Sequence, residues 1–230
     1  MSAIIKPLIL AGGKSTRMGS PKHLLTMPDG RPLYRHQIDV LRKACPEAET
    51  IYISLSQDSE MDELLSDVEK VSFETTPGEN SIEIILDLES SLGGESKGPA
   101  TGLLAAYESD PTATWLIVAC DYPCITAEAL QELQSRYKPP VTCFRNSAGF
   151  CEPLLGIWSP EAIAHLKENY QDGKLSPSKA IRELDGHSYV PDNSEALLRN
   201  VNVKSEWEDA LRALKDEPVD NFMEEPLEVL

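Results

Sequence analysis

Two features that the sequence lacks exclude broad classes of protein. No stretch of about 18 consecutive apolar residues occurs, so no segment is suited to cross a bilayer as a helix. The cysteines are odd in number, and no two of them form a Cys-x-x-Cys pair; they are Cys45, Cys120, Cys124, Cys143 and Cys151. This usage favours buried thiols in a reducing compartment over a disulfide framework or a zinc site. We therefore expect a cytoplasmic protein.

Linkers and the common nucleotide-binding loops are also missing. No Gly/Ser-rich or Pro-rich linker divides the chain, which predicts a single domain over residues 1–216 followed by an acidic, flexible tail at 217–230. The first apolar segment leads into a loop, LAGGKSTRMGSPK, at residues 10–22. This loop matches neither GxxxxGK[ST] nor GxGxxG, so those two nucleotide motifs are excluded.

Positive charge is scarce and concentrated. The formal net charge is −17, yet residues 1–45 carry eight Lys/Arg against two Asp, a local net charge of +6 that leaves −23 on the remainder. An acidic surface of this kind repels nucleic acid and anionic membranes, which need a broad basic face. We therefore expect neither as a partner, and the small basic region suits a compact anion.

Strand and helix patterns alternate along nearly the whole chain. The strand patterns are AIIKPLIL, TIYISLS, KVSFETT, TWLIVACD, VTCFR, EPLLGIW and LLRNVNV. The helix patterns are RPLYRHQIDVLRKA, MDELLSDV, GPATGLLAAYES, ITAEALQELQSRY, SPEAIAHLKENY, SPSKAIREL and a last helix opened by a Ser205–Glu208 capping box. SIEIILDLESSL, within residues 77–97, has helical spacing. This alternation predicts an α/β fold, with a mostly parallel sheet and helices on both faces.

Ligands of such sheets bind outside the carboxyl ends of the strands, where the glycine loop and Asp121 are both expected. Gly12 and Gly13 allow close approach of a phosphate to the backbone, and Arg17 and Lys22 supply positive charge. Asp121 follows a buried strand, so it either faces solvent or binds Mg²⁺. Two asparagines of the NVN segment, Asn200 and Asn202, either point into the site together or cap a strand end.

Five motifs resemble the MobA-like nucleotidyltransferases: LILAGGKSTRMGSPKHLL, GPATGLLAA, VACDYP, EPLLGIW and RNVNVKSEWEDA. The resemblance implies a Rossmann-like three-layer sandwich and transfer of a nucleotide from an NTP, GTP favoured, to a phosphorylated acceptor, with molybdopterin suspected and Mg²⁺ as cofactor. It assigns catalysis to Arg17, Lys22 and Asp121, and the metal to Asp121. The residues it places at the nucleotide are Leu10, Ala11, Gly12, Gly13, Ser15, Arg17, Lys22, Ser54, Glu74, Gly98 and Asp121, and those at the acceptor are Glu152, Asn200 and Asn202.

The chain departs from this family at three places. Residues 77–97 form an insertion before the GP motif, Ser54 stands where the guanylyltransferases often have Asn, and Glu74 is the nearest candidate for an acid that ends the third strand. These departures affect the base and acceptor contacts more than the phosphate site. A cytidylyltransferase, an enzyme with an acceptor unrelated to pterins and a non-catalytic nucleotide-binding protein therefore stay as alternatives.

Overall fold

A computed structural model of the chain describes residues 5–12, 18–56, 81–87 and 100–216. Its strands are β1 (Ile5–Leu10), β2 (Thr50–Leu55), β3 (Ser81–Leu86), β4 (Thr114–Ala119), β5 (Val141–Arg145), β6 (Cys151–Trp158) and β7 (His187–Tyr189). The helices are α1 (Leu33–Ala44), α2 (Ala100–Ser109), α3 (Ala127–Ser135), α4 (Pro160–Gln171), α5 (Pro177–Glu183), α6 (Ser194–Leu197) and α7 (Lys204–Asp216). No helix among these described residues is long and apolar enough to cross a membrane.

The strands form one mixed sheet in the order β3-β2-β1-β4-β6-β5-β7. Only β6 runs against the others, since it is antiparallel to both β4 and β5. Every residue of β4 is buried, as expected for a strand that is covered on both faces. Helices α1 and α3 pack together, and α4 packs against both α2 and α5. The predicted α/β fold with a mostly parallel sheet is therefore confirmed.

Local signals in the sequence place several helix starts correctly. The side chain of Ser159 accepts a hydrogen bond from the backbone N–H of Ala162, with Pro160 at the first helical position of α4. Ser176 and Pro177 repeat this arrangement at α5. At α7 the predicted capping box is wrong, because Glu206 accepts hydrogen bonds from the backbone N–H groups of residues 202 and 203.

Two segments differ from their predicted structure. Residues 81–86 form β3 and pair in parallel with β2 over its whole length, so the helical spacing of SIEIILDLESSL is misleading there. The segment LLRNVNV contains the end of helix α6 and an irregular stretch, not a strand, whereas β7 was not predicted. The predicted strand KVSFETT, the predicted helix MDELLSDV and the tail at 217–230 lie outside the described residues.

Candidate active site

The carboxyl ends of β1 to β4 are joined by hydrogen bonds that continue beyond the strands. The backbone N–H of Ala11 donates to the carbonyl of Ser54 at 2.8 Å, and that of Cys120 donates to the carbonyl of Leu10 at 3.0 Å. The N–H of Asp87 donates to the carbonyl of Leu55 at 2.7 Å. Because the backbone here is fixed, the side chains that follow these strands are held at one edge of the sheet.

A cluster of polar side chains surrounds Asp121 at this edge. Lys22 Nζ lies 2.8 Å from Asn202 Oδ1 and 3.5 Å from Asp121 Oδ2. Asn200 Nδ2 donates to the same Asp121 oxygen at 3.1 Å, and Asn202 Nδ2 donates to Asn200 Oδ1 at 2.6 Å. Four side chains from three distant parts of the sequence thus form one hydrogen-bonded group.

The other carboxylate oxygen of Asp121 is well placed to receive a cation. Asp121 Oδ1 is buried and has no hydrogen-bond partner within the described part of the chain. A buried carboxylate oxygen is costly without a partner, and a hard divalent cation is one that it binds well. No group of three or more His, Cys, Asp or Glu in the described residues could hold a metal ion by itself. The donor set therefore fits a metal that is shared with a phosphate ligand.

The irregular segment before α7 brings both asparagines to Asp121. The backbone N–H of Val201 donates to the carbonyl of Asp121 at 2.9 Å. The buried Val201 packs in a small apolar cluster that also contains Met27, Leu33, Cys124, Trp207 and Ala210. This anchoring replaces the predicted strand and explains why Asn200 and Asn202 point to one place.

Lys22 opens a single 3-10 turn, Lys22–Leu24, that is preceded by Pro21. The backbone N–H of Leu25 donates to the carbonyl of Lys22 at 3.1 Å and closes the turn. The N–H of Leu33, the first residue of α1, then donates to the carbonyl of Leu25 at 2.9 Å. The start of α1 therefore fixes the position of the Lys22 backbone.

A second acidic side chain, Asp87, lies at the end of β3. Ser54 and Thr101 donate hydrogen bonds to its two carboxylate oxygens. Burial raises the pKa of Asp87 above its ordinary value, and these two hydrogen bonds oppose that shift. A Cβ atom at Gly12 would collide with Asp87 Oδ2, and one at Gly102 would lie 2.7 Å from Ser54 Oγ. Both glycines thus allow close packing around this carboxylate.

A third polar group lies at the start of β6, which begins at this same edge because the strand runs antiparallel to β4. Tyr122 Oη donates to Glu152 Oε2 at 2.7 Å, and Asn146 Nδ2 donates to Glu152 Oε1 at 2.8 Å. Tyr122 is buried, and burial together with the nearby Glu152 carboxylate raises the pKa of its phenol above the ordinary value. Glu152 is therefore held from both sides.

Comparison with known proteins identifies the family. Residues 7–188 match the family model of the MobA-like NTP transferase domain. The chain belongs to this nucleotidyltransferase family. The molybdenum cofactor biosynthesis bifunctional protein of Synechocystis sp. is 32% identical over 189 residues, which cover 81% of this chain and 48% of that protein. The chain thus spans about half the length of this relative.

Other relatives match over most of their length. The molybdenum cofactor guanylyltransferase of Serratia proteamaculans is 24% identical over 94% of this chain and 98% of its own. Among solved structures, molybdopterin-guanine dinucleotide biosynthesis protein A from Archaeoglobus fulgidus is similar with a TM-score of 0.66 and 18% identity, covering 92% of this chain and 99% of that one. A nucleotidyl transferase from Methanothermobacter gives a TM-score of 0.64 at 14% identity, covering 92% and 98%. These structures support the fold.

Several residues assigned through the resemblance to MobA-like proteins lie together at this edge. They are Leu10, Ala11, Gly12, Lys22, Ser54, Asp121, Glu152, Asn200 and Asn202. The others lie outside the described residues, namely Gly13, Ser15, Arg17, Glu74 and Gly98. In the described sheet, Asp87 is the acid that directly follows β3, the strand that pairs with β2. Gly102 was also not predicted as a site residue from the sequence, although it is the last residue of the GPATG motif and packs against Ser54 and Asp87.

Proposed function

We propose that this MobA-like protein transfers GMP from GTP to molybdopterin, with Mg²⁺ as cofactor and release of pyrophosphate. The observation that supports this proposal most is the contact between Lys22 and the Asp121 carboxylate, whose second oxygen is buried and has no hydrogen-bond partner among the described residues. An ammonium group and a carboxylate oxygen suited to a divalent cation, both at one edge of the sheet, match what a triphosphate needs. Bound Mg²⁺ supplies charge stabilisation for the phosphates and the leaving pyrophosphate.

The chain's own residues divide the remaining work. Lys22 neutralises charge at the α-phosphate, while Asn200 and Asn202 orient the Asp121 carboxylate and the Lys22 ammonium through the hydrogen bonds described above. The resemblance to the family implies that Arg17 holds the β- and γ-phosphates. Transfer of this kind needs little proton movement from the protein, so positioning and charge provide most of the rate.

The group around Asp87 is assigned to the nucleoside. Asp87 lies beside Gly12, which the family motif places at the base and ribose. A carboxylate accepts hydrogen bonds from N–H groups, and guanine offers two adjacent ones on its Watson–Crick edge. Glu152 is assigned to the acceptor because it stands at the same edge of the sheet, beyond Asp121. All five cysteines are free, which fits a reducing compartment such as the cytoplasm.

Pyrophosphate release tests this proposal. The assay uses each of the four NTPs with Mg²⁺, with and without molybdopterin, and we expect turnover only with GTP and molybdopterin together. Asp172→Asn is the matched control for replacement of Asp121 by Asn. The Asp172 carboxylate is exposed and, in the described structure, pairs only with Lys174 at a helix end. Turnover that depends on CTP would instead indicate cytidylyl transfer. Stabilisation by nucleotides without turnover would indicate a nucleotide-binding protein and refute the proposal.

A further inference from the structure

The turn between β5 and β6 presents an aromatic side chain to solvent. Phe150 is 71% exposed, the highest value for a large apolar side chain among the described residues. The turn is nevertheless well ordered by hydrogen bonds: the N–H of Phe150 donates to Asn146 Oδ1 at 3.0 Å, and the N–H of Asn146 donates to the carbonyl of Phe150 at 2.9 Å. Gly149, with φ of 88°, completes the turn. The exposed ring is therefore carried by a fixed backbone.

This turn lies at the edge of the sheet that carries the candidate active site. β5 runs in the same direction as β4, because each is antiparallel to β6. The end of β5 and the start of β6 consequently face the same way as Asp121. Tyr122, the next residue in sequence, connects the two regions directly through its hydrogen bond to Glu152.

Phe150 and Glu152 share one face of the hairpin. Phe144 pairs with Glu152 and Arg145 with Cys151, and the hydrogen bonds between Asn146 and Phe150 continue this register. Side chains two residues apart in such a ladder point to the same side. An exposed aromatic ring thus stands next to a carboxylate that Tyr122 and Asn146 hold in place.

We propose that Phe150 and Glu152 form the subsite for the pterin ring of the acceptor, an inference that rests on the proposed function and deepens it. The flat heterocycle stacks on the Phe150 ring, as bases stack on aromatic side chains in other proteins. Its amino group and the adjacent ring N–H donate to Glu152; among the described residues each Glu152 oxygen accepts one side-chain hydrogen bond, from Tyr122 or Asn146, and a carboxylate oxygen can accept a second.

A pterin is favoured over a second copy of the chain as the occupant of this surface. Contact with another protein would use the exposed ring but would not explain why a carboxylate is fixed beside it. A ring that combines a flat face with two adjacent N–H donors uses both side chains. Tyr122, which follows Asp121 in sequence and donates to Glu152, links this subsite to the cluster around Asp121.

Direct binding of carboxypterin, a fluorescent pterin, tests this inference without any turnover. We expect Phe150→Ala to weaken binding about 10- to 100-fold, the scale of one stacking contact, and Phe150→Trp to retain it. Val190→Ala is the matched control, since Val190 is also an exposed apolar side chain, at 45%. We expect it to bind as the wild type does. Carboxylumazine, in which a carbonyl replaces the amino group, should bind more weakly to the wild type, and Glu152→Gln should remove this preference.

The outcomes separate this inference from the proposed function. Wild-type carboxypterin binding by Phe150→Ala would overturn the subsite, even if guanylyl transfer occurs. A change in oligomeric state of Phe150→Ala, measured by sedimentation, with pterin binding unchanged would also overturn it and identify Phe150 as a self-association contact. Conversely, Phe150-dependent pterin binding in a protein that does not transfer GMP would support the subsite and refute only the transfer reaction.

Discussion

Replacing Tyr122 by Phe tests how strongly the site is pre-organised. The change removes only the hydroxyl, which donates to Glu152 at 2.7 Å, and keeps the ring that packs in the core. A hydrogen bond to a charged group contributes about 1.5–3 kcal/mol to stability. We expect the free energy of unfolding of Tyr122→Phe to fall by this amount at neutral pH, as measured by urea denaturation.

The same variant has a pH signature with a defined sign. The pKa of Tyr122 is raised in the folded protein above its value of 10.0 in the unfolded chain, chiefly by burial and further by Glu152. A group with a raised folded pKa contributes stability that is complete below the unfolded pKa and is lost as pH rises toward the folded pKa. Above about pH 10 the wild type should therefore lose about 1.4 kcal/mol per pH unit more than Tyr122→Phe.

The difference between the two proteins isolates this one phenol, because the other tyrosines and lysines titrate alike in both. The stability difference should accordingly shrink between about pH 10 and pH 11. A difference that stays constant across this range would refute the reasoning, as would equal stabilities at neutral pH. Either result would mean that the Tyr122 hydroxyl does not stabilise the folded protein through its hydrogen bond to Glu152.

Three further predictions concern the nucleotide and metal sites. Gly102→Ala places a Cβ 2.7 Å from Ser54 Oγ, so we expect a loss of about 1–3 kcal/mol in stability and a higher KM for GTP, measured by urea unfolding and steady-state kinetics. Lys22→Met should lower kcat about 10²–10³-fold in the pyrophosphate assay, the scale for one pre-organised electrostatic group. Asn202→Ala removes the 2.8 Å partner of Lys22 Nζ and should lower kcat about tenfold in the same assay; an unchanged kcat would contradict the role of this contact.

The elements that the sequence predicted correctly are those whose local signals and burial agree. β4 is a continuous apolar run that is buried along its whole length, and α4 and α5 each begin with a Ser-Pro pair. β3 was misinterpreted because Ile82, Ile84 and Ile85 fit helical spacing as well as a strand; pairing with β2, a tertiary contact, decides the outcome. The segment around Val201 has strand-like composition, but it is held by Asp121 and by an apolar cluster, not by a neighbouring strand.

The candidate site was predicted in part for the same reason. Asp121 directly follows a buried strand, and Lys22 lies in the glycine-containing loop after β1. The order of the strands brings both side chains to one edge of the sheet. Asp87 was missed because the strand before it was not recognised, although an acid directly after a strand was the signal that identified Asp121. The contacts of Tyr122 join β6 to the turn after β4, and no local pattern predicts such a pairing.

Substitution of Asp121 by Asn tests the central claim most directly. Asparagine keeps the shape of the side chain and an oxygen that can accept from Asn200 and Lys22, but it removes the negative charge and replaces the second carboxylate oxygen, Oδ1, by an amide nitrogen. We expect kcat for pyrophosphate release from GTP and molybdopterin to fall about 10²–10³-fold, and stabilisation by Mg²⁺ with GTP to be lost in thermal unfolding, without loss of stability in the ligand-free protein. Wild-type turnover and wild-type stabilisation by Mg²⁺ in Asp121→Asn would contradict the account.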